Sequence, residues 1–296
     1  MRQYLHGPIG IFDSGLGGLT VAKEIHQALP YETLIYLGDT ARCPYGPKDQ
    51  SEVSQYVYQI ASYLSTRKVK LIVIACNTAT AAGLRLAQKS FQVPVIGVVN
   101  PGAEAAIKTS KRRRIGVIGT QGTIDSRAYE KAILSLDAGA HVMSRATPEF
   151  VRMVEEGMST LYNPETHMLE VSESDRRIIK SYLTEFLTED IDTLVLGCTH
   201  FPLLEQEIQK VLPGVSIISS AKETALQVRE TLTRRNNLAN TCGCGFVEHS
   251  FITTSPDTVA FSKAGSYIFD DRIESAQYVS VDELEQFSMN KDDISE

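Results

Sequence analysis

No apolar run in this chain approaches the ~18 residues that a membrane span requires, so no such span is expected. The opening residues, MRQYLHGPIG, lack the apolar core of a signal peptide, and the chain is expected in the cytoplasm. Basic charge is in short supply: 29 Lys and Arg stand against 36 Asp and Glu, a formal net charge of -7. That balance argues against a general role on nucleic acid or on an anionic membrane surface. Phosphate-binding signatures are missing too. Neither GxGxxG nor GxxxxGK[ST] occurs, which leaves GLGG (15–18) as a weak pointer to a phosphate. Cysteine is scarce and scattered. The five, Cys43, Cys76, Cys198, Cys242 and Cys244, are an odd number and read as free thiols of a reducing compartment. Cys242 and Cys244 form a C-G-C too short and isolated for a zinc site, and read as a turn. Cys43 lies in RCPYGP, a loop by its Pro and Gly.

What the chain does have is alternation. At 296 residues it is long enough for about two domains or one large one. Apolar runs at 9–12, 33–38, 71–75, 93–98, 114–119, 193–197 and 215–218 are rich in Val, Ile and Leu. Continuous runs of this kind are strands covered on both faces of a parallel sheet. Helical patterns lie between them, at 18–28, 51–66, 78–90, 102–108, 126–137, 148–157, 174–187, 203–211 and 222–235. The class is therefore α/β with mainly parallel sheets, whose ligands bind beyond the carboxyl ends of strands.

The chain also resembles itself. IGIFDSGLGG (9–18) is echoed by IGVIGTQGTI (115–124), and LIVIACNTAT (71–80) by TLVLGCTHFP (193–202). Two matches in the same order point to a duplicated α/β unit. Each unit ends a strand on a thiol followed by small polar residues: Cys76 with Asn77 and Thr78, Cys198 with Thr199 and His200. A buried strand-end cysteine is ordinarily a small hydrophobe. The repetition, the polar neighbours and a helix start beside each thiol shift the balance toward reactivity. Thiols from two related halves could work on opposite faces of one carbon, one removing a proton and the other supplying one.

Together IGIFDSGLGGLTV (9–21), YLGDTARCPYGPK (36–48), ACNTATA (75–81), GVVNPG (97–102), IGVIGT (115–120) and LGCTHFPLL (196–204) closely resemble the glutamate racemases of the cofactor-independent aspartate/glutamate racemase superfamily. The resemblance spans roughly residues 8–265. It implies two pseudo-symmetric α/β domains with the active site in the cleft between them. One domain would be 1–98 plus 206–265, the other 99–205, with 266–296 a poorly matched, partly mobile extension. It implies interconversion of L- and D-glutamate with no cofactor and no metal, feeding peptidoglycan synthesis. Cys76 and Cys198 would be the two bases, with Asp13 assisting Cys76, and His200 with Glu155 assisting Cys198. Glu156 adjoins Glu155, and the sequence leaves open which faces inward. Asp13 also reads as a helix cap shared with Ser14.

Substrate donors implied are Ser14, Asn77, Thr78, Thr120, Thr123 and Thr199, with Tyr45 and Gly46 offering backbone N–H groups. A UDP-linked muramyl precursor as activator and a homodimer also fit the resemblance. Three departures stand out: Ser219 and Ser220 where an Asp-containing turn is common, Arg152 where Pro is usual, and a longer stretch at 159–174. The basic run KRRR (111–114) reads as a solvated turn before a strand. The competing readings are a racemase for aspartate or another acidic amino acid, a Cys–His acyl transferase or hydrolase using Cys198 and His200, and a non-catalytic binding protein.

Overall fold

The computed structural model describes residues 7–158, 162–163, 165, 168–239 and 247–288. Cys242, Cys244, part of the longer stretch at 159–174 and the last eight residues lie outside these. Two parallel sheets organise the chain. The first has six strands: β1 (Ile9–Asp13), β2 (Leu34–Gly38), β3 (Leu71–Ile74), β4 (Val95–Gly97), β11 (Ser250–Thr253) and β12 (Gln277–Tyr278), in the order β12-β11-β2-β1-β3-β4. The second has four: β5 (Arg114–Gly119), β6 (His141–Ala146), β9 (Thr193–Gly197) and β10 (Ser216–Ser219), in the order β10-β9-β5-β6. A small antiparallel pair, β7 (Tyr162–Asn163) and β8 (Met168–Leu169), lies apart.

The seven expected strands all form. Every residue of β1, β2, β3 and β9 is buried, because helices cover both faces of each sheet. The Val, Leu, Ile and Phe side chains among them each stabilise the fold by about 1.5–3 kcal/mol. The nine expected helices are α1 (Leu19–Ala28), α2 (Gln50–Thr66), α3 (Asn77–Ser90), α4 (Val99–Thr109), α6 (Ala128–Leu136), α7 (Pro148–Gly157), α8 (Glu173–Thr188), α9 (Glu205–Val211) and α10 (Ser220–Arg234). Short α5 (Gln121–Asp125), α11 (Thr258–Phe269) and α12 (Val281–Glu285) join them.

The division of the chain differs from expectation in two places. β10 pairs with β9, so residues 216–219 stay with the second sheet, and the return comes only at α10, which packs on both α1 and α4. The region beyond 265 is also built into the fold as far as it is described. β12 pairs with β11, and Leu284 of α12 is fully buried.

The basic run behaves as a turn. Arg112 pairs with Asp190 at 2.6 Å and Arg113 with Asp137 at 2.8 Å, and β5 starts at Arg114. No helix among the described residues is long and apolar enough to cross a membrane.

Candidate active site

The polar residues that end β1, β3, β5 and β9 converge where the two sheets meet, at the carboxyl ends of their strands. Cys76 and Cys198, Ser14, Tyr45, Gly46, Asn77, Thr78, Thr120, Thr199 and His200 line one cavity. Its volume, about 20 Å³, is room for roughly one water. Asp13, Thr123 and Glu155 stand behind that lining and touch it. Among the described residues no group of three or more His, Cys, Asp and Glu could hold a metal.

The two thiols sit in equivalent places with unequal neighbours. Cys76 caps α3, its Sγ accepting from the Ala79 N–H at 3.5 Å, and it contacts Ser14 Oγ at 3.8 Å. Asp13 lies behind it, fully buried, accepting from the Gly15 N–H at 3.0 Å and from Thr199 Oγ1 at 3.3 Å. It is not the cap of α1, whose N-cap is Gly18. Burial raises the Asp13 carboxyl above its ordinary value, against the opposing pull of His200 and the Gly15 N–H. Burial, reinforced by Asp13, pushes the Cys76 thiol up to about 12. Cys76 is therefore held protonated at neutral pH.

Cys198 instead faces His200 Nδ1 at 3.5 Å, and His200 Nε2 stands 3.4 Å from Glu155 Oε1. Burial alone would lower the imidazole, but the hydrogen bond to Cys198 and the nearness of Cys198 and Glu155 outweigh it and raise it well above its ordinary value. Glu155 in turn is lowered: partial burial would raise it, and His200 overcomes that. Arg152 settles the choice between adjacent glutamates. It binds Glu149 at 2.9 Å and Glu156 at 2.6 Å on the outer face of α7, leaving Glu155 to face His200.

The GLGG turn serves close packing. A Cβ on Gly17 would lie 2.5 Å from Thr199 Oγ1 and 2.9 Å from His200, and one on Gly18 would lie 2.4 Å from Asp13 Cβ. The glycines let β1's turn approach both assisting groups. In the CPYG loop, the Tyr45 hydroxyl is turned away into the first sheet, donating to Asp39, which Arg42 also holds at 2.7 Å. Tyr45 and Gly46 both line the cavity, with the Tyr45 hydroxyl engaged elsewhere. The cavity is clasped by bonds between the sheets: Gly122 N–H to Gly46 O at 2.9 Å, Thr78 to Thr120 at 2.8 Å, and the Tyr129 hydroxyl to Asn77 Oδ1 at 2.7 Å. Thr123 completes the threonine group, 3.2 Å from Thr78 and 3.0 Å from Thr120.

Three participants escape the sequence patterns. Cys43, read as a loop residue, presents a third thiol to the cavity wall and donates to Glu155 Oε1 at 3.2 Å. Val151 lines the cavity from α7. Tyr129 looks like an ordinary core aromatic of α6. No local pattern relates Cys43 to a carboxylate 112 residues away or Tyr129 to an amide 52 residues earlier.

The burial of Cys76 has a measurable consequence. Below pH ~9 the thiol is protonated in folded and unfolded chains alike, and its titration has no effect on stability. Between about 9 and 12 the unfolded chain releases a proton that the fold retains, so stability falls as pH rises, by up to about 1.4 kcal/mol per pH unit for this group. Denaturant unfolding between pH 8.5 and 10.5 should therefore show a shallower decline for Cys76→Ala than for the unmodified protein. Parallel declines would mean that the thiol is not held in its neutral form.

The sequence profile of the Asp/Glu/Hydantoin racemase family matches residues 9–228. A glutamate racemase of Lysinibacillus sphaericus is 45% identical over 237 residues, 80% of this chain and 85% of that protein. The crystal structure of a glutamate racemase isoform from Bacillus anthracis superposes with a TM-score of 0.84 at 42% identity, covering 93% of this chain and 98% of that one. That of a glutamate racemase from Francisella tularensis, in complex with D-glutamate, gives 0.84 at 32% identity, covering 94% and 99%.

Proposed function

The chain belongs to the Asp/Glu/Hydantoin racemase family, and we propose that it interconverts L- and D-glutamate by proton transfer between two thiols on opposite faces of the α-carbon. The carrying observation is that Cys76 and Cys198 line one cavity from equivalent strand ends, each with its own polar partner. In one direction the Cys198 sulfur takes the α-proton: the Cα–H bond breaks, an S–H bond forms, and the electron pair stays on a planar carbanion. Cys76 delivers its proton to the other face and becomes the thiolate. The reverse reaction exchanges the roles.

The neighbours suit this assignment. A thiol beside an imidazolium reacts as a thiolate, which His200, held on Glu155, supplies for Cys198. Cys76, with burial and Asp13 keeping its proton on, is the resting donor. Negative charge developing on the α-carboxylate needs donors placed in advance. Ser14, Asn77, Thr78, Thr120, Thr123 and Thr199, with backbone of Tyr45 and Gly46, are the set available. Because the clasped cavity holds about one water, glutamate enters when the bonds between the two sheets, which act as two domains, part, and those bonds re-form around it.

In this reading the protein works in the cytoplasm, as a homodimer, and its D-glutamate is used in peptidoglycan synthesis. Purified protein given L-glutamate without added cofactor should form D-glutamate, followed by circular dichroism or chiral chromatography. L-aspartate, one methylene shorter, should turn over at least about tenfold less efficiently. Absence of D-glutamate from folded protein, both alone and with a UDP-linked muramyl precursor as activator, would overturn the proposal.

A further inference from the structure

Asn77 is 2% exposed at the start of α3 and lines the cavity, yet its two amide atoms are treated differently. Oδ1 accepts from the Tyr129 hydroxyl at 2.7 Å. Nδ2 is buried with no hydrogen-bond partner among the described residues. A buried donor left unmatched is unfavourable unless something fills it. Tyr129, from α6 of the other sheet, is itself 2% exposed. Its ring is gripped between two glycines: a Cβ on either Gly102 or Gly197 would lie 3.1 Å from it. Ser220, 4% exposed, opens α10, and its Cβ packs near Gly102 beside the Tyr129 ring. The phenol gives its proton to Asn77 Oδ1. Burial keeps that proton on.

We propose that Tyr129 is a positioning residue, whose hydroxyl locks the Asn77 amide so that Nδ2 projects into the cavity as a donor to a carboxylate oxygen of the substrate. The proposal rests on the acidic amino-acid substrate of the preceding section. Orientation is what matters. An amide turned over by half a rotation would present Oδ1, an acceptor, to a carboxylate that can only accept.

Tyr129→Phe keeps the ring and removes only the hydroxyl. It should raise KM for glutamate about tenfold, the scale of one hydrogen bond to a charged group, with kcat within about threefold. Asn77→Ala should lose at least as much. The double variant should be no worse than Asn77→Ala alone, because Tyr129 acts only through that amide. A structural role would instead multiply the losses. The second arm needs no turnover: in glutamate-free protein, the Asn77 side-chain NH2 resonances should shift and broaden in Tyr129→Phe. An unchanged KM, multiplying losses or unchanged Asn77 resonances would each overturn the proposal. Failure of the unmodified protein to racemise glutamate would instead count against the parent reading, and the resonance arm would still judge the lock.

Discussion

Alanine in place of either Cys76 or Cys198 is expected to lower kcat/KM for glutamate by about 10²–10⁴-fold, the contribution of a positioned acid or base. The two losses should be similar, because each turnover needs one sulfur to take a proton and the other to give one. Enantiomers have equal free energies in water, so kcat/KM must be equal in the two directions. Each variant must then lose equally with L- and D-glutamate, even though the partners of the two thiols differ. Removing both sulfurs should cost little more than removing one, since the pair acts as a unit. Both side chains are only 6% exposed, so each variant needs an unfolding curve beside its kinetics. A Cys76→Ala protein that folds and racemises normally would end the two-thiol account.

Gly17→Ala is the second large effect expected, and it reaches the site without touching a reacting atom. The added methyl would stand 2.5 Å from Thr199 Oγ1 and 2.9 Å from His200, distances no real Cβ keeps. Either the β1 turn recoils from the second sheet, or Thr199 and His200 are pushed off Asp13 and Cys198. A displacement near 1 Å at a reacting group can cost about 10²-fold in rate. Overpacking should also destabilise the fold by about 1–3 kcal/mol. Activity unchanged in a folded Gly17→Ala protein would show that the close approach of this turn to His200 is dispensable.

The parts of this protein that could be read from its residues are those whose physics is local. LIVI and TLVLG announce strands because both of their faces are buried, and the repeat of a thiol after each points to a shared place. HVMSRA does not announce β6: it lies at the edge of the second sheet, half exposed, with no apolar run. β11 (SFIT) has only two apolar residues between polar ones, and β12 is two exposed residues, so neither forms an apolar run. In the site, Asp13, Cys76 and His200 were legible from motifs. Which glutamate faces His200 was not, because it depends on where Arg152 draws Glu156. Cys43 and Tyr129 were illegible for the same reason: each acts on a residue of the other sheet, brought near only by the folded chain.

The most direct test of two-sided proton transfer is the fate of the α-proton. L-glutamate turned over in deuterated water should give D-glutamate carrying deuterium at Cα from the first turnovers, while remaining L-glutamate is still largely protiated. The proton leaves on one sulfur, and the deuteron arrives from the other, already exchanged with solvent. D-glutamate that retained the substrate's own proton would mean that a single group carries it from face to face, and would contradict the account.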